Sequence, residues 1–106
     1  MDTMQNKVKD FNNARGAHLE PMPVSARVLD IQSEMGELAK EYLKGSEYGL
    51  ENFVVTDDFK LELGDVLYSL LSLACEVEVD AEECVDKVIA KYKARIEKNK
   101  SMGSGR

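Results

Sequence analysis

The chain has no tryptophan, one histidine, two cysteines and two prolines among 106 residues. Each scarcity closes a route. With His18 as the sole imidazole, a helix-borne Ser-His-Asp site, an HExxH zinc site and the paired ExxH pattern of di-iron bundles are all excluded. Cys75 and Cys84 are too few and too far apart for a CxxC metal or redox site, and each falls in a helical pattern where a free thiol packs as a small apolar group. No apolar run approaches the roughly 18–20 residues of a membrane-spanning helix, and the N-terminus lacks a signal-peptide core. Positive charge is also short: the formal net charge is −6, which argues against binding a nucleic-acid polymer. These absences predict a soluble, cytoplasmic protein with no membrane partner.

What is present is helix. An apolar fraction of 43% with 32% charged residues is enough for one core, so a single all-α domain is expected over residues 1–100, followed by a small polar tail at 101–106. Helical spacing predicts a first helix over about 2–15, capped by Asp2 and stopped by Gly16, with Met4, Val8 and Phe11 on its apolar side. A second opens at Pro23 or Ser25 and runs to about Lys44, a third runs from Thr56 or Asp57 to about Val79, and a fourth from Ala81 to about Lys98. Asp80 and Glu83 form a capping-box pattern before the fourth. The short run Phe53–Val55 is expected to pin the connection between the middle helices to the core.

The third helix is apolar over more than half its circumference, from Phe59 through Leu63, Val66, Leu67, Leu70 and Leu71 to Val77. Glu62, Asp65, Ser69, Ser72 and Glu76 make its one polar stripe. A helix so apolar needs more cover than three short helices supply, so a homodimer or homotetramer is predicted.

Glu34 and Glu37 on the second helix stand three residues apart, and Glu62 and Asp65 on the third repeat that spacing. Residues i and i+3 project from one side of a helix. If the helices run antiparallel, four carboxylates meet at the margin of an apolar core, where repulsion and desolvation oppose them unless a cation intervenes. An oxygen-only set suits Mg²⁺, with Mn²⁺ as the alternative, better than zinc. Glu41, Asp58 and the other acids read as solvated charge. Gly36 and Gly64, each just before an acid of its pair, suggest close backbone approach by a helix or a ligand. On the fourth helix Lys87, Lys91 and Arg95 form a basic row beside the stripe Val85, Val88, Ile89, Tyr92 and Ile96. Acids with a metal on one side and cations on the other suit a polyphosphate.

The segments "SEMGEL" and "LELGDVLYSLL" resemble the ExxE and ExxD motifs of MazG-like nucleotide pyrophosphohydrolases, within the all-α NTP pyrophosphatase superfamily. "DFNNARG" and the Pro23-x8-Gln32 approach to the first motif extend the likeness over residues 8–97. The resemblance implies a four-helix MazG-like bundle completed by oligomerisation, which hydrolyses a nucleoside triphosphate between its α and β phosphates. It implies Glu34, Glu37, Glu62 and Asp65 as Mg²⁺ ligands, with Glu37 and Glu62 catalytic, and Lys91 and Arg95 as phosphate contacts. Phe11 and His18 are the candidates for base contact. Ser33 stands where many relatives carry another glutamate, and no tryptophan follows the first helix, which leaves the base pocket undefined. A phosphoribosyl-ATP pyrophosphatase-like enzyme and a non-catalytic helical interaction module are the alternatives.

Overall fold

A computed structural model describes residues 3–16 and 23–102, and among them the fold is four helices with no strand. These are α1 (Met4–Gly16), α2 (Val24–Gly45), α3 (Asp57–Glu76) and α4 (Ala81–Met102). The expected order is borne out, with ends shifted by a few residues. The Asp2 cap lies outside the described residues; the Thr3 hydroxyl accepts from the Asn6 amide at 3.0 Å and serves the first turn of α1. At α3 the Thr56 hydroxyl accepts from the Phe59 amide at 3.0 Å, and at α4 Asp80 accepts from the Glu82 and Glu83 amides.

The third helix stops at Glu76, short of Val79, for an identifiable reason. Glu78 takes the left-handed conformation (φ 56°), its amide donates to the Cys75 carbonyl, and the Val79 amide donates to that of Ala74 at 3.0 Å. This double closure ends a helix as a glycine usually would, here without one. Glu47 (φ 49°) closes α2 in the same way, the Tyr48 amide reaching the Leu43 carbonyl. Phe53 then folds back between Tyr42 and Phe59, with ring centroids 5.0 Å from each, so the connection is pinned as its apolar run suggested. Gly45 allows that return: a Cβ there would lie 2.7 Å from the Phe53 ring and from the Val54 carbonyl.

α3 is the central element, packed against α2 along its length and against α1. Both pairs are antiparallel. Arg27 meets Glu76 and Asp30 meets Ser69 across the first seam; Gln5 meets Cys75 and Asn12 meets Ser72 across the second.

The protomer leaves much of the apolar circumference of α3 uncovered. Val66 and Ala74 are buried, but Leu63, Leu67 and Leu70 are 41%, 40% and 44% exposed. Meanwhile Ser69 and Ser72, from the polar stripe, are 4% and 1% exposed. The two seams take the polar stripe inward and leave a leucine row facing out. α4 makes only glancing contact with the rest, and its apolar stripe is exposed throughout. The radius of gyration, 17.8 Å, exceeds the about 13 Å of a compact chain of this length.

Candidate metal and nucleotide site

The antiparallel α2/α3 pair places one row of acids from each helix in register. Glu34, Glu62 and Asp65 each offer a carboxylate oxygen within 4.8 Å of the others. Glu34 and Glu62 are half-buried and Asp65 is exposed. Three of the four acids singled out in the sequence therefore converge. Glu37 stands one turn along, close enough to act electrostatically on both glutamates, while its own carboxylate reaches towards Lys40 at 4.0 Å.

The electrostatics of this cluster are one-sided. Partial desolvation first, then the charges of Asp65, Asp30, Glu62 and Glu37, raise Glu34 above the usual carboxylate value. Desolvation, followed by Asp65, Glu37, Glu41 and Asp58, raises Glu62 likewise. Every neighbour acting on the pair is an acid. Among the described residues no cation enters the cluster, because Lys40 and Lys44 turn to Glu37 and Glu41 on its outer side.

Glu41 and Asp58 were read from the sequence as plain solvated charge, and the structure places both beside Glu62. Glu41 is 8% exposed. The signal was available: Glu34, Glu37 and Glu41 follow helical spacing along one face of α2, as Asp58, Glu62 and Asp65 do on α3. Asp30, which acts on Glu34 and accepts from the Ser69 hydroxyl at 3.3 Å, extends the row inward.

Behind the acids the polar seam continues. Asn12 donates to the Ser72 hydroxyl at 3.1 Å and accepts from the Tyr68 hydroxyl. Phe11, a candidate for base contact, is more than half exposed and meets the Tyr68 ring edge-on at 6.2 Å. His18, the other candidate, lies outside the described residues. At the far end Arg27 pairs with Glu76 at 2.9 Å, both side chains largely covered.

Lys91 and Arg95 are not part of the cluster in the protomer. Both lie on the exposed face of α4, stacked near the Tyr92 ring at 5.4 and 5.6 Å. No other helix of the protomer approaches Gly36 or Gly64 closely, since a Cβ at either meets nothing within 4 Å. Cys75 is a half-buried free thiol, and Cys84, expected to pack as an apolar group, is exposed.

Fold and site together define an all-α protein whose central antiparallel helix pair carries an oxygen-only carboxylate cluster. The chain belongs to the MazG nucleotide pyrophosphohydrolase family: that domain's sequence profile matches residues 25–99, which span both acidic rows and α4. It is 35% identical to the uncharacterized protein YpjD of Bacillus subtilis, over 74% of this chain and 68% of that one. No solved structure matches at a significant level.

Proposed function

We propose that this chain is a Mg²⁺-dependent nucleoside triphosphate pyrophosphohydrolase. It would cleave the α–β phosphate bond to give a monophosphate and pyrophosphate, working in the cytoplasm as a homodimer or homotetramer to clear unwanted nucleotides. The observation that carries the reading is the convergence of Glu34, Glu62 and Asp65 within 4.8 Å at the α2/α3 seam. The donor set fits the ion. All three candidate ligands are carboxylates, and two of them are raised in pKa by partial desolvation and then by neighbouring acids, whose repulsion a divalent cation would relieve.

In this reading Glu34, Glu62 and Asp65 hold Mg²⁺, or Mn²⁺ in its place, with Glu37 completing the set one turn away. When bound, the metal supplies Lewis-acid polarisation of the phosphate oxygens and a more acidic water. Glu37 is placed to accept the proton of the attacking water, since its carboxylate borders the cluster without belonging to the tight trio. Lys91 and Arg95, away from the cluster in their own protomer, would supply positive charge to the departing pyrophosphate from a neighbouring copy of the chain. Phe11, more than half exposed and edge-on to Tyr68, is a candidate for base contact, as His18 is from the sequence.

The test is pyrophosphate release from a panel of ordinary, deoxy and oxidised nucleoside triphosphates with Mg²⁺, beside the Glu62→Gln variant. Release of monophosphate and pyrophosphate that disappears in a folded variant supports the reading. Turnover that survives Glu62→Gln, or none from any triphosphate, defeats it.

A further inference from the structure

The ion pairs of the protomer differ in how much of each partner is covered. Lys40–Glu37, Lys60–Asp57 and Lys100–Glu97 join two exposed side chains, and Arg27–Glu76 joins two largely covered ones. Lys44–Glu41 joins one of each: the carboxylate keeps 10% of its exposure, and the ammonium, 3.3 Å away, keeps 56%. A pair with so open a partner contributes little to stability, so the placing of Lys44 has another consequence to be sought.

That consequence lies along the acid row. Glu34, Glu37, Glu41 and Lys44 follow one another on α2 at intervals of three, four and three residues, which keeps all four on one face. Side chains of a helix lean towards its N-terminus, so Lys44 leans back along the row, where its ammonium donates to Glu41. Glu41 in turn acts electrostatically on Glu62 across the seam, and Glu62 belongs to the converging trio. Lys44 is therefore a cation of the same protomer, at the end of the row that carries the site, whereas Lys91 and Arg95 stand apart on α4. The seven residues from Glu37 to Lys44 span about 10 Å of helix, and an extended lysine leaning back covers about half of that rise. What remains is the length of one or two phosphate groups.

We propose that Lys44 binds the terminal phosphate of the substrate and so makes the site select triphosphates over diphosphates. The proposal rests on the pyrophosphohydrolase reading and adds to it a cation in the same chain as the acids. In the free protein Glu41 holds the ammonium beside the row. A bound triphosphate offers it a doubly charged oxygen cluster and a stronger, charge-assisted contact, and the exchange costs little because the ion pair being left is half in solvent. Glu41 is then a positioning residue for Lys44, and Lys44 a substrate contact.

Binding is measured first, by calorimetry with Mg²⁺, using α,β-imido deoxynucleoside triphosphates, which resist cleavage, and the matching diphosphates. Lys44→Gln is expected to weaken the triphosphates about 10- to 100-fold, the range of one charge-assisted contact, and the diphosphates less than about threefold. The double variant Glu41→Gln, Lys44→Gln separates contact from charge balance within the protein. A loss that persists in it supports the proposal; affinity that recovers means that Lys44 only offset Glu41, and overturns it. No loss in Lys44→Gln, or an equal loss for triphosphate and diphosphate, also overturns it. Pyrophosphate release from the cleavable triphosphates divides this inference from the activity it rests on. Release that Lys44→Gln leaves unchanged defeats the contact alone, whereas Lys44-dependent binding without release defeats the activity and leaves the contact standing. A wild type that binds no triphosphate analogue overturns both.

Discussion

The two faces of α3 have exchanged the roles that hydrophobicity alone would give them. Its inward face carries Ser69 and Ser72, almost wholly covered, with hydroxyls tied to Asp30 and Asn12. Its outward face carries Leu63, Leu67 and Leu70, each at least 40% exposed. Burial of a hydroxyl is tolerated where a partner satisfies it, whereas a leucine left some 40% exposed keeps a cost of order 1 kcal/mol until something covers it. The inward face therefore serves position: it registers α1 and α2 and brings the carboxylates together. The outward face is left open in the protomer.

The largest predicted effect concerns the inward face where it reaches the surface. Replacing Glu62 with Gln keeps the shape, removes one carboxylate charge from the cluster and relieves repulsion among Glu34, Glu37 and Asp65. Pyrophosphate release is expected to fall by at least about 100-fold while the metal-free protein is no less stable than wild type. Steady-state rates and thermal melts on one preparation check both halves. Loss of stability in the metal-free variant would assign Glu62 to the fold instead of the chemistry.

Arg27→Met comes next, at the other end of the same face. The Arg27 and Glu76 side chains retain 11% and 21% of their exposure and meet at 2.9 Å, and Glu76 Oε2 is buried without a hydrogen-bond partner among the described residues. Removing the guanidinium leaves the carboxylate covered and unpaired, a loss of about 2–3 kcal/mol in urea denaturation. A loss below about 0.5 kcal/mol would show that the seam opens readily to water there.

The acids also predict a pH dependence, whose sign follows from their direction of shift. Glu34 and Glu62 are raised in the folded state by desolvation and neighbouring acids, so folding favours their protonated forms. Their contribution to stability is complete below the ordinary glutamate value and is lost as pH rises through the elevated one. Metal-free protein should lose stability across that window, and Mg²⁺ at pH 7 should restore it. With the ion at ten times its Kd the gain is about 1.4 kcal/mol, a rise on the order of 5–10 °C in melting temperature. Equal curves with and without Mg²⁺ would remove the cluster's role as a cation site.

Much of this was legible in the sequence because it is local. Helix order, the Thr56 and Asp80 caps and the i, i+3 acids each depend on residues within one or two turns, and each is present as read. What escaped depends on which side of α3 meets which neighbour. Periodicity marks an apolar face without saying what covers it, so the sequence did not tell which part of α3 faces α1 and α2, and the α4 cations read as neighbours of the acids. Glu41 and Asp58 were missed because each was weighed alone, although their membership in a row along one face decides their environment. The early stop of α3 was hidden because Glu78 adopts the conformation for which glycine is the usual signal.

The smallest predicted effect concerns the link between the two faces. Gln5 reaches from α1 across the end of α3 to the Val79 carbonyl and the Ala81 amide, so it joins the inward packing to the direction in which α4 departs. Gln5→Ala removes both bonds but leaves those backbone groups near solvent, where water replaces much of what is lost. The expected loss is about 1 kcal/mol, with hydrogen exchange rising selectively in the first turn of α4 and unchanged at Val66. A uniform rise through α3 and α4 would mean that Gln5 supports the core as a whole. A selective rise would mean that one amide sets the course of α4, and with it whether the leucines of α3 are met by their own chain or by a second.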